Sequence, residues 1–158
     1  MFAIARPDAT GGSRQFVVTK GATNAYEWGL EVKAVTGGLG SEVALMDPSG
    51  KSIAFAQAAG VAAGAWNALC ATIGTPGAGA TWAMYRNSGT PTGSVGINPA
   101  GVWGAERDTT VPVRIAQRGD NGGAFKGSVR HVALFRGKLT DAQVAALMNA
   151  ARTEGMIA

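Results

Sequence analysis

The sequence predicts an all-β sandwich or barrel closed by one short C-terminal helix, on three observations. Glycine supplies 24 of 158 residues without the three-residue period of collagen, and each interior glycine costs a helix about 1 kcal/mol against alanine. Apolar and polar residues alternate with period two in several segments. The glycine clusters fall between those segments, at 11–12, 37–38, 74–79 and 119–123, which is the punctuation expected of a sandwich or barrel.

The elements follow in chain order. Phe2–Arg6 and Gln15–Thr19 are the first two predicted strands. The clearest strand comes next: Tyr26, Trp28, Leu30 and Val32 share one face, while Glu27, Gly29, Glu31 and Lys33 share the other, the pattern of a half-buried strand. Glu42–Met46 and Lys51–Phe55 flank Asp47-Pro48-Ser49-Gly50. Asp first, Pro second and Gly fourth suit a type I turn, so this pair reads as a hairpin. Further strands are predicted at Trp66–Ile73, Thr81–Arg86, Val111–Gln117 and Lys126–Phe135. Residues 88–110, rich in Gly, Pro and Asn and holding Trp103, read as one extended surface loop, the kind of segment where binding resides. A helix runs from about Asp141 to Arg152: Thr140 caps it, Gln143 completes a capping box, and Val144, Leu147, Met148 and Ala151 form one apolar stripe. That stripe packs the helix on the β core. Nothing divides the chain, so 1–158 reads as one domain.

Charge and cysteine usage narrow the function classes. The net charge of +4 comes from 14 basic and 10 acidic residues with no basic run, which argues against nucleic acid as a partner. Charged residues total 15%, against a usual share of about 25%. Ile53–Cys70 is interrupted by Gly60, Gly64, Gln57 and Asn67, so it does not read as a membrane span. The start of the chain lacks the pattern of a signal peptide. Cys70 is the single cysteine and lies in an apolar run, so it reads as a buried, inert thiol.

Three segments, in order, resemble one family. The first is the strand ending Arg6-Pro7-Asp8, then Phe16-Val17-Val18-Thr19-Lys20-Gly21 and Tyr26-Glu27-Trp28-Gly29-Leu30. The second is Trp66-Asn67-Ala68-Leu69 followed by Trp82-Ala83-Met84-Tyr85-Arg86-Asn87-Ser88-Gly89. The third is Val113-Arg114-Ile115-Ala116, Phe125-Lys126-Gly127-Ser128-Val129-Arg130-His131-Val132-Ala133-Leu134-Phe135 and Leu139-Thr140-Asp141-Ala142-Gln143-Val144. This order is similar to the laminin G-like, concanavalin A-like jelly-roll family, and it spans nearly the whole chain. The resemblance implies a two-sheet antiparallel jelly-roll sandwich with one short C-terminal helix. Gly127 permits a close backbone approach or a bulge, and a bulge explains why Val129 falls out of parity with Val132 and Leu134. Family domains carry a strand or two before the segment matching Phe2–Arg6. Met1 stands at the threshold of that segment, so a strand is expected to be missing and a sheet edge open to another chain.

Relatives in this family suggest chemistries that the residues can be weighed against. Jelly-roll glycan hydrolases place two glutamates around an aspartate on one strand; Glu106-Arg107-Asp108 lacks the third acid, and Glu27 and Glu31 have Gly29 between them. These read as ordinary solvent-facing carboxylates, and the chain as no enzyme. His131, the one histidine, falls on the strand face opposite Val132 and Leu134, and no Gly-x-Ser-x-Gly elbow accompanies it. Calcium is the one cofactor the resemblance raises, with Asp120 and Asn121 or Asp47 as ligands, but calcium takes six to eight oxygens and no carboxylate cluster is visible. Glycan binding would use Trp103 first and then Trp82 and Tyr85 as stacking surfaces; Trp28 and Trp66 read as core. The reading that follows is a non-catalytic structural protein of a bacteriophage virion, a capsid decoration or minor capsid subunit made in the host cytoplasm. Its partners would be other virion proteins or copies of itself. The alternative is a carbohydrate-binding module or tail-associated adhesin that recognises cell-surface glycan.

Overall fold

A computed structural model describes residues 1–8, 14–22, 25–46, 52–74, 82–92, 94–97, 110–117 and 123–158. Ten strands and one helix follow one another as β1 (Phe2–Pro7), β2 (Gln15–Ala22), β3 (Ala25–Val35), β4 (Gly38–Met46), β5 (Ser52–Val61), β6 (Asn67–Ile73), β7 (Trp82–Arg86), β8 (Ser94–Ile97), β9 (Val113–Ile115), β10 (Gly127–Ala133) and α1 (Asp141–Thr153). They form a four-stranded sheet in the order β10-β1-β6-β7 and a six-stranded sheet in the order β8-β5-β4-β3-β2-β9. Every pairing is antiparallel. The predicted two-sheet sandwich with a terminal helix is the architecture observed.

Strand parity sorts the side chains into two cores. Ala3 and Ala5 of β1, Leu69 and Ala71 of β6, and Trp82 and Met84 of β7 point between the sheets. There they meet Val17, Val18, Leu30, Val32 and Val43 of the larger sheet. The intervening residues Phe2, Ile4, Ala68, Cys70 and Tyr85 point the other way and pack under Val144, Met148 and Ala151 of α1. The molecule is thus three layers deep, helix on small sheet on large sheet. The small sheet is apolar on both faces because both are covered.

The helix begins where its capping box places it. The Thr140 hydroxyl accepts from the Gln143 N–H at 3.3 Å, and Gln143 Oε1 accepts from the Thr140 N–H at 2.9 Å. Tyr85 fixes the same end from below, its hydroxyl donating to Asp141 Oδ1 at 2.7 Å. Cys70 is buried in the helix-side core, which pushes its thiol up to about 11 despite the opposing pull of the chain's amino group.

Several sequence expectations need correction. Residues 88–110 are not all loop, because β8 pairs there with β5; four residues without a clean alternation left no period to detect. The strand predicted over Lys126–Phe135 ends at Ala133. The open edge expected from a missing strand is not β1 itself, which is hydrogen-bonded to β10 on one side and β6 on the other. The edges of the small sheet are β10 and β7. Thr92 N–H donates to Met84 O at 2.7 Å and covers part of β7, so among the described residues β10 is the barer edge. Its register against β1 jumps between His131 and Val129, leaving Arg130 as the extra residue of a bulge. This is the bulge that the parity of Val129 required. Gly127 makes the close approach: its φ is +147°, and a Cβ there would lie 2.1 Å from the Arg6 carbonyl oxygen. His131 sits on the face opposite Val132, edge-on to the Phe2 ring with centroids 6.0 Å apart.

Candidate functional site

Of the stacking residues predicted from sequence, Trp82 and Tyr85 are not at the surface. Trp82 is 3% exposed between the two sheets and Tyr85 is 1% exposed beneath the helix. Neither ring offers a face to a sugar. Trp82 and Met84 share one parity and Tyr85 has the other, and both faces of β7 are covered. Trp103, Asp120, Asn121, Asp47, Glu106 and Asp108 lie outside the described residues. Among the described residues no group of three or more His, Cys, Asp or Glu could hold a metal ion. Likewise, no helix among them is long and apolar enough to cross a membrane.

The carboxylates of β3 are buried, contrary to their solvent-facing expectation. Glu27, Glu31 and Glu42 all have little exposure, Glu31 only 1%. Registration explains it: Glu31 lies directly opposite Glu42 on β4, and cationic side chains close over both. Arg14 donates from Nε to Glu31 Oε1 at 2.8 Å and from Nη2 to Glu42 Oε1 at 2.8 Å. Lys33 pairs with Glu42 Oε2, and Lys20 with Glu27 at 2.8 Å. Burial pushes the Glu31 carboxyl up to about 7; Arg14 pulls it back and the adjacent Glu42 adds to the rise. Burial works upward on Glu42 too, but the bonds and charges of Lys33, Glu31 and Arg14 outweigh it and hold that carboxyl below its ordinary value. Glu31 Oε2 is buried and has no donor. When Glu31 is protonated the adjacent Glu42 carboxylate can accept from it, so the pair takes up a shared proton as the pH falls through about 7. Retaining glycoside hydrolysis needs two carboxyl groups flanking a substrate bond. Here an arginine occupies the space between them.

The accessible features lie on the other side of the molecule, around β10 and α1. Leu134 and Phe135, which follow β10, are 48% and 41% exposed. They line a cleft of about 270 Å3 together with Trp28, Ile73 and Leu139. Phe135 and Leu139 continue into a shallow groove along the helix, walled by Ala146, Leu147 and Ala150. A signal for this surface was present in the sequence: two consecutive large apolar residues at a strand end cannot both face one core. Trp28, read as core, is half-buried at the cleft wall. Trp66 is also only half-buried, with the guanidinium carbons of Arg130 and Arg6 4.3 and 5.4 Å from its ring centroid.

Comparison with known proteins adds one match. The model of a family described as the concanavalin A-like lectin/glucanases superfamily matches residues 3–145. No curated protein matches the chain.

Proposed function

Since the chain belongs to the concanavalin A-like lectin/glucanases superfamily, we propose that it is a non-catalytic member that works by contact with other proteins. The observation that carries this reading is the apolar surface formed by Leu134, Phe135, Leu139 and Leu147. It runs from the end of β10 over the cleft and into the groove along the helix, whose lining also takes in Gln143. Contiguous apolar surface of this kind marks interaction sites on soluble domains. Val113 and Ile115 on β9 are exposed as well, but neither lines the cleft or the helix groove. Side chains make the contact, not strand addition, because the bulge at Arg130 interrupts the ladder that a partner strand would extend. The commitment of Glu27, Glu31 and Glu42 to cationic partners supports the non-catalytic part.

The setting we propose is a phage particle, with the chain as a decoration or minor subunit of the capsid. A tagged chain recovered from its producing host is expected to co-sediment with a proteinaceous assembly. The double substitution Leu134→Ser, Phe135→Ser is expected to leave it in the supernatant. Wild-type chain that stays in the supernatant would overturn the reading. Retention on a glycan surface that is lost in Trp103→Ala would favour the carbohydrate-binding alternative instead.

A further inference from the structure

Past the end of the helix, on the outer face of the small sheet, three strands bring polar groups together. Phe2, Ile4 and Arg6 share one parity on β1; the first two lie under α1 and Arg6 lies past it. Ala5 is registered with Asn67, so the next positions along these antiparallel strands put Arg6 beside Trp66. On the other side Arg6 is registered with Ser128, and its Nη2 reaches Ser128 Oγ at 3.4 Å. The bulge in β10 turns Arg130 onto the same platform, 4.3 Å from the Trp66 ring centroid. The bulge therefore does more than interrupt an edge; it aims a guanidinium.

Two guanidinium groups thus lie over one indole. Among the described residues no carboxylate pairs with either arginine. Arg6 Nε is buried with no hydrogen-bond partner, and Arg130 makes only a long contact from Nη1 to the Gly155 carbonyl at 3.5 Å. Arginine held over an aromatic ring keeps its charge and its N–H donors, and a guanidinium can take an oxyanion in two parallel bonds. Arg6 is half-buried, and positive charge held there without a counter-charge is costly unless an anion completes it.

We infer that Arg6, Trp66, Ser128 and Arg130 form a docking site for the carboxylate of an acidic segment on a protein partner. A neutral sugar is disfavoured because the guanidinium groups occupy the indole surface on which it would stack. A sulfated polysaccharide is disfavoured because polyanions are held by rows of cations, whereas two guanidinium groups stand at this one indole. The inference rests on the protein-contact reading and deepens it. Arg130 and Leu134 are about 13 Å apart along an extended chain, so one partner can cover both the anion site and the apolar surface.

The test follows the Trp66 indole N–H resonance, assigned with Trp66→Phe, during titration of the whole chain at low salt. The probe is a capped hexaglutamate peptide, with hexaglutamine as the control. Saturable shifts with hexaglutamate alone are expected. Arg130→Gln, at an exposed position, should weaken binding about tenfold or more, the loss of one charge-assisted pair. Arg130→Lys should fall between the two, since it keeps charge but loses the fork. An Arg130→Gln chain whose other resonances are unmoved and whose affinity stays within a factor of two of wild type would overturn the assignment. So would an absence of saturation with hexaglutamate. Displacement of the peptide by a sulfated hexasaccharide at far lower concentration would overturn the choice of occupant. If hexaglutamate fails while Leu134→Ser, Phe135→Ser still releases the chain from its assembly, this inference falls and the protein-contact reading stands.

Discussion

Replacing Glu31 with glutamine should remove a pH dependence of stability that the wild-type chain carries. In the fold this carboxyl titrates at about 7, and its ordinary value is 4.5. Between those values the native state binds a proton that the unfolded chain releases. Stability from this group is therefore full below about pH 4.5 and lost as pH rises through 7. The size of the loss follows from the two values and is about 3 kcal/mol. Because Glu31 is 1% exposed, no solvent screening reduces that figure. Glutamine keeps the shape, accepts from Arg14 and donates to Glu42, but it does not titrate. Urea unfolding followed by tryptophan fluorescence at several pH values from 4.5 to 8.5 measures the effect. The difference between wild type and Glu31→Gln cancels every other carboxyl, so only its slope matters. The variant should gain about 3 kcal/mol relative to wild type across that window. A difference constant to within about 0.5 kcal/mol would refute the shared proton and show Glu31 ionised throughout.

Two other substitutions probe the same architecture. Arg14→Ala leaves Glu31 and Glu42 without their common partner; with the Arg14 side chain 42% exposed, the expected loss in urea unfolding is about 2 kcal/mol, larger above pH 7 than at pH 5. Gly127→Ala puts a methyl group 2.1 Å from the Arg6 carbonyl oxygen at φ +147°. It should cost about 3 kcal/mol by the same assay; an unchanged midpoint would mean that β1 and β10 do not meet as described.

What the sequence disclosed depended on the range of each signal. The helix was legible because its capping box and apolar stripe are local. The bulge in β10 was legible as the broken parity of Val129 against Val132. The Arg14 network was not, because it joins residues 17 and 28 positions apart and exists only once three strands are in register. Glu27 and Glu31 read as solvent-facing because a charged residue on the polar face of an alternating strand ordinarily is; cations closing over them reverse the expectation. Trp82 and Tyr85 have opposite parity on one strand, so at most one could have faced solvent. Neither does, because the helix covers the second face of the small sheet. Trp66 shares the parity of Ala68 and Cys70, and its exposure depends on where that helix stops. The glycan-stacking reading of Trp82 and Tyr85 failed through tertiary coverage that no local pattern reveals.

If the chain meets its assembly through the Leu134–Phe135 surface, hydroxyl-radical footprinting of the isolated chain against the purified assembly will register it. Leu134, Phe135, Leu139 and Leu147 are expected to react in the isolated chain and to be protected in the assembly, while Val113 and Ile115 react equally in both. Equal reactivity of Leu134 and Phe135 in the two states, with protection appearing at Val113 and Ile115, would contradict it.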